Sequence, residues 1–184
     1  MTAVDLKIPA TAKSFYKTSD NANNQVILDR IINSDYYKYI LDYSKLAKVP
    51  ADLITSVVAI ESTGKNAPKN DWGAIGLGQM KVGTAYDTIK TEVKNKTLTD
   101  EDKAFIKKFV PSIAKNNFAY KYGDFTGLNM AQVNKELEAA LMKPQFNILM
   151  LALHLGHMID KFTTFTNKPM LHQSLVIYNQ GIGR

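Results

Sequence analysis

The 184-residue chain contains no cysteine, so disulfides and thiolate metal sites are excluded and packing alone must hold the fold. No apolar run is long enough to span a bilayer. The first residues, Met1 to Phe15, place Pro9 and polar side chains where a signal peptide needs an unbroken apolar core. A chain native at its start is therefore expected not to leave the cell by the usual secretory route. Repeats, low-complexity tracts and the apolar alternation of a multi-stranded sheet are also missing, which leaves helices as the main material. Tryptophan occurs once, at Trp72.

What is present is the composition of an ordinary folded domain. Hydrophobic residues make up 45% and charged residues 22% of the chain, enough to close one core and too little length for two. One domain over residues 25–184 is expected, preceded by an arm at 1–24 rich in Thr, Ser, Asn, Asp and Lys. Lys and Arg total 23 against 17 Asp and Glu, a formal charge of +6 that draws the protein toward polyanionic surfaces. The lysines at 103, 107, 108, 115 and 121 are scattered, without the arginine-rich, aromatic-interleaved cluster of a nucleic-acid groove. A solvated basic face is the expectation, with neither nucleic acid nor inserted membrane as a partner.

Apolar spacing predicts one or two helices from Asn24 to Lys48, with a break near Asn33-Ser34-Asp35. Pro50 suits the start of the next helix, which runs from Ala51 to Ser62 and stops near Gly64. A loop, Gly64 to Gly83, follows and holds Pro68, Trp72 and, between Gly73 and Gly83, four of the ten glycines. Further helices are expected at Asp100 to Asn116, capped by Thr99 with Asp102 completing a capping box, and at Met130 to Met142. Phe146 to Phe162 is apolar nearly all round and reads as a helix buried through the centre. A last helix is expected at Leu171 to Tyr178.

Glu61 carries the first chemical signal. It lies three to eight positions after Leu53, Ile54, Val57 and Val58, so helical spacing puts its carboxyl on the apolar face. Desolvation and its place in the helix's last turn both favour a retained proton, which suits a general acid. The bland alternative is a carboxylate at the edge of the stripe, bent out to water. The glycine-rich stretch after it lacks a following Gly-Lys-Ser/Thr and a preceding strand, so a nucleotide loop is not expected. His154 and His157 lie three apart on a helix, and a metal shared with His172 is the alternative to weigh; core or groove histidines are the expectation. Met142, Met150 and Met158 read as core filler. Trp72 is either a sugar platform or a loop anchor.

Glu61-Ser62 followed by Gly73-Ala74-Ile75-Gly76-Leu77-Gly78-Gln79-Met80 resembles the signature of the family 23 lytic transglycosylases, of the soluble lytic transglycosylase type. A second block resembles the same family downstream. Asn147-Ile148 through Phe162 is similar to its Asn-Ile helix, and Ile177-Tyr178-Asn179-Gln180-Gly181-Ile182-Gly183-Arg184 to its Ala-Tyr-Asn-Ala-Gly-Pro-Gly-Arg segment. The resemblance covers Val49 to Gly83 and Pro144 to Arg184, in the family's order. It departs at Asn70, where many members have serine, at Lys81 for methionine, His154 for tyrosine and Gln180 for alanine. The stretch 86–142 is longer than expected and implies an extra helical segment.

The resemblance implies a mainly α, lysozyme-like fold and cleavage of the β-1,4 bond between N-acetylmuramic acid and N-acetylglucosamine, with 1,6-anhydro ends. It makes Glu61 the catalytic acid, Tyr178 its orienting partner, and Ser62, Asn70, Trp72, Gln79, Tyr178 and Asn179 the glycan-binding set. Neither metal nor organic cofactor is called for. Goose-type lysozymes share a similar stretch, including Lys69-Asn70-Asp71-Trp72-Gly73, but place acids where this chain has Ala74 and Lys81. An inverting hydrolase needs a second carboxylate, so hydrolysis is the alternative, with Asp71 and Asp87 as candidate substitutes. A wall-binding structural protein without catalysis is the further alternative. Missing secretion signal, basic charge and a single compact domain fit a bacteriophage enzyme. Such a protein is made in the host cytoplasm and acts on the cell wall, as a monomer or beside other virion components.

Overall fold

The computed structural model describes residues 21–115, 117–121 and 124–166. Within them the chain is mainly α-helical: α1 (Asn21–Ile32), α2 (Tyr37–Leu46), α3 (Ala51–Ser62), α4 (Val82–Asn95), α5 (Asp100–Phe109), α6 (Pro111–Ala114), α7 (Met130–Leu141) and α8 (Pro144–Thr166). The only described strands form two short antiparallel hairpins. In one, β1 (Ala74–Ile75) pairs with β2 (Met80–Lys81); in the other, β3 (Tyr120–Lys121) pairs with β4 (Asp124–Phe125). Among the described residues no helix is long and apolar enough to cross a membrane.

The organising element is α8, around which α2, α3, α4 and α7 pack. Every residue from Phe146 to Leu153 is buried, as are Leu155 and Met158, so this helix has no solvent face along that stretch. An all-round apolar helix has no other stable place in water. Gly156 lets it close on the end of α2: a Cβ there would lie 2.9 Å from the Ala47 carbonyl oxygen.

The long middle stretch joins the same core. Ile89, Leu98, Ile106, Val110, Ile113, Phe118, Phe125, Val133 and Leu137 are all buried in one cluster with Ile54, Val57 and Leu151. Phe105 and Phe109 bring α5 against Phe146 of α8, with ring centroids 6.4 and 5.5 Å away. The capping box expected at Thr99 and Asp102 is formed: Asp102 N–H donates to Thr99 Oγ1 at 3.1 Å and Thr99 N–H to Asp102 Oδ2 at 3.0 Å.

Two sequence expectations need correction. The helix expected over 100–116 is broken after Phe109, because Pro111 cannot donate an N–H and disfavours helical backbone at Val110, whose φ and ψ are −133 and 67. And α4 occupies 82–95, starting inside the expected loop and running into the segment expected only as extra helix at about 86–142; its own bounds were not legible because its buried face includes Thr88 and Glu92 beside Ala85, Tyr86 and Ile89.

Candidate active site

Glu61 is the penultimate residue of α3. Leu53, Ile54, Val57, Val58 and Ala59 bury this helix on most sides, and its exposed stripe is Asp52 and Ile60. Glu61, four residues after Val57, falls at the margin of the buried face and is half-buried. No described residue hydrogen-bonds or ion-pairs with its carboxyl group, and burial pushes that carboxyl above the ordinary glutamate range.

The end of α3 is held firmly, which fixes where Glu61 stands. The helix closes on Thr63 in the left-handed conformation (φ 53), with its N–H returned to the Ala59 carbonyl. Gly64 follows at φ 73, and a Cβ there would come within 2.7 Å of Ile31 Cγ1. Arg30 Nη1 donates to the Thr63 carbonyl at 2.7 Å and the Tyr36 hydroxyl to the Gly64 carbonyl at 2.8 Å, so donors from the α1–α2 corner satisfy acceptors at the α3 terminus. Ser62 turns its hydroxyl back to the Val58 carbonyl at 3.0 Å.

The glycine-rich loop is pinned from below by Asn147, a fully buried residue of α8. Its Oδ1 accepts from Gly78 N–H at 2.8 Å, and its Nδ2 donates to the carbonyls of Ile75 at 2.8 Å and Leu141 at 2.9 Å. This approach explains two glycines. A Cβ on Gly76, at φ +74, would run into Asn147 Nδ2 and lie 2.6 Å from the Leu141 oxygen; one on Gly78 would lie 2.9 Å from Leu151 Cδ2. Asn147 could be named from sequence only through its resemblance to the Asn-Ile helix, since its partners lie 69 and 72 residues upstream and 6 residues before it.

Above that pin, Gln79 adopts φ 47, a left-handed conformation that costs a non-glycine residue about 1 kcal/mol or more. Its side chain is held at both ends: Oε1 accepts from Asn70 Nδ2 at 2.9 Å, and Nε2 donates to the Gly76 carbonyl at 2.8 Å. Asn70 Oδ1 in turn accepts from the backbone N–H groups of Trp72 and Ala74, each at 2.9 Å. Trp72 is 81% exposed, which removes the loop-anchor alternative. Asn70 and Gln79 are thus brought together, and no described hydrogen bond ties either to Glu61.

The remaining candidates divide as follows. Tyr178, Asn179 and His172 lie outside the described residues. Asp71 is exposed on the loop, and Asp87 is exposed with its Oδ1 3.0 Å from Lys90 Nζ. Lys81 is exposed at the end of β2. His157 has a partner that sequence reasoning missed: its Nε2 lies 2.5 Å from Oε1 of Glu92, a buried residue 65 positions away that also takes the Thr97 hydroxyl on Oε2. Burial and the neighbouring His157 push His154 down to about 4. The Glu92–His157 pair lines a cleft of about 140 Å³ with Ala47, Lys48, Leu98 and Asp160. Glu61 is not among the residues that line it.

Set against protein-family models, curated proteins and solved structures, the chain finds no match in any of the three.

Proposed function

We propose that this protein is a peptidoglycan lytic transglycosylase of lysozyme-like fold, with Glu61 as its acid. The observation that carries the reading is the Glu61 carboxyl itself. It is half-buried, has no partner among the described residues and is pushed upward by desolvation, at a helix end rigidly fixed by Arg30 and Tyr36. A carboxyl that burial holds above its ordinary range retains its proton more readily and can give it away. The adjoining loop, with the resemblance of its residues to the family signature, supplies the substrate class.

In this reading Glu61 protonates the glycosidic oxygen between N-acetylmuramic acid and N-acetylglucosamine as the C–O bond breaks. The substrate's own acetamido group supports the oxocarbenium-like charge, a role for which Ala74 and Lys81 offer no second carboxylate. Glu61, now ionised, takes the proton of the muramic acid C6 hydroxyl as that oxygen closes the 1,6-anhydro ring. The family's tyrosine role falls on Tyr178, and the glycan set on Ser62, Trp72, Gln79 and Asn179, with Asn70 beside them on the loop. The protein then works on the bacterial wall, as a bacteriophage enzyme of entry or lysis.

A cell-wall zymogram with wild type and Glu61→Gln tests the assignment, because the amide keeps the shape and lacks the proton. A clear band for wild type and loss of all but a few percent of turnover in the variant are expected. Equal bands would reject Glu61, and no band from folded wild type would favour a wall-binding protein without catalysis. Hydrolysis, with the exposed Asp71 as second carboxylate, is the alternative chemistry and would release reducing ends.

A further inference from the structure

We infer that Asn70 is a positioning residue and not a sugar contact: locked to Gln79, it holds the turn that presents the Trp72 indole as a stacking platform for a pyranose ring of the glycan. The inference rests on the glycan reading above and assigns the site's residues a division of labour that the family resemblance does not supply.

The first observation is Trp72 itself. Tryptophan is highly buried on average, because its indole carries a large apolar area. Here it is the only tryptophan in the chain and is 81% exposed. No described residue bonds its side chain or packs a ring against it. Exposure of that size is retained only by a mobile tip or by a side chain built to meet something.

The second observation decides between those two, because the turn is braced on several sides. Asn70 Oδ1 takes the N–H groups of Trp72 and Ala74, the Asn70 N–H reaches the Ala74 carbonyl at 3.0 Å, and the Gly73 N–H reaches the Asn70 carbonyl at 2.9 Å. Asn70 Nδ2 is tied to Gln79, whose own amide is tied to Gly76, and the segment after Gly76 is pinned to α8 by Asn147. An amide oxygen has two acceptor positions and an amide nitrogen two donors. Both acceptor positions of Asn70 and one donor are committed, so at most one N–H is left for a ligand. Its chemistry is spent on the turn.

The occupant follows from the surroundings. A pyranose ring offers an apolar C–H face bounded by hydroxyls, which suits one flat aromatic surface set among polar groups. Trp72 follows Asn70 and the exposed Asp71 in the chain, and Lys69, three residues before it, pairs with Glu138 at 2.8 Å. A lipid surface would call for a contiguous apolar patch and, if anionic, would be repelled by Asp71. A preorganised platform also loses little entropy on binding.

Because Trp72 is the sole tryptophan, its fluorescence reports on this one position. The experiment titrates Glu61→Gln, which does not turn over, with soluble uncross-linked glycan strands, and separately with anionic phospholipid vesicles. In parallel, steady-state turnover of sacculi is measured for otherwise wild-type Asn70→Ala, Asn70→Asp and Trp72→Ala, each first shown folded by circular dichroism. Expected results are a saturable change in Trp72 emission with glycan and none with vesicles. Trp72→Ala and Asn70→Ala should each raise KM about tenfold with kcat within a few-fold of wild type, and the double variant should be no worse than either single one. Asn70→Asp keeps the acceptor for both backbone N–H groups and should restore most of the wild-type KM. Unmoved Trp72 emission at saturating glycan, or an unchanged KM in Asn70→Ala, overturns the inference while turnover of sacculi by wild type leaves the glycan reading standing. A fluorescence response with no turnover by wild type supports the platform and removes the catalytic reading. A response to vesicles alone overturns the inference, and with no turnover of sacculi by wild type it overturns the glycan reading as well.

Discussion

Replacing Asn147 by alanine removes three buried hydrogen bonds at once and leaves the Gly78 N–H and the Ile75 and Leu141 carbonyls facing a dry interior. Each such bond contributes about 1 kcal/mol net, and each buried polar group left without a partner costs about 1–3 kcal/mol. Relaxation of the loop and entry of a water would recover part of this, so a loss of about 3–5 kcal/mol is expected. Against a total stability of about 5–15 kcal/mol for a domain, that is a large fraction. Urea denaturation followed by circular dichroism should show a lower midpoint with an unchanged slope, the mark of lost stability without a change in unfolded surface. Because the same amide seats the turn that carries Gln79, activity should fall more than stability alone accounts for. Asn147→Asp keeps the acceptor for Gly78 but loses both donors and buries a charge, so it should be at least as damaging. A loss below about 1 kcal/mol for Asn147→Ala would refute the pin, since no packing change of that kind leaves three orphaned groups so cheaply.

Glu61→Gln should stabilise the protein at neutral pH and not in acid. The folded carboxyl is pushed above its unfolded value, so its contribution is fully favourable below the unfolded value and is lost as pH rises through the folded one; thermal melts at both ends check the crossing. Glu92 behaves oppositely: burial pushes it up, but the hydrogen bonds from His157 and Thr97 outweigh burial and hold its carboxyl below the ordinary range. Its stabilisation is present above the unfolded value and is lost as pH falls through the folded one. Glu92→Ala should cost about 2 kcal/mol at neutral pH, and much less in acid. Lys69→Ala should change stability by less than about 0.5 kcal/mol in urea melts, because the ion pair with Glu138 is exposed on both sides.

Much of the helical framework was legible because its signals are local. The Asn33-Ser34-Asp35 break, Pro50 ahead of α3, the Thr99–Asp102 box and the all-round apolar run of α8 each express a rule that acts within a few residues. Glu61 was legible in the same way, from its phase on α3. What escaped were features made by long-range contact. Helix α4 hides behind a face that buries Thr88 and Glu92, which looks polar until Glu92 meets His157 from α8. The glycines at 76 and 78 mark a close approach, yet only the fold shows that Asn147 and Leu151 are what approaches. Asn70 read as a sugar contact by family position, whereas its side chain faces its own turn.

Mass spectrometry of the muropeptides released from purified sacculi, with wild type and Glu61→Gln side by side, tests the central claim most directly. Wild type should release fragments ending in 1,6-anhydromuramic acid, each one water lighter than its hydrolysed counterpart, and the variant should release essentially none. Reducing ends from wild type, or anhydro ends from the variant in comparable yield, would contradict the claim that the Glu61 proton drives a transglycosylation.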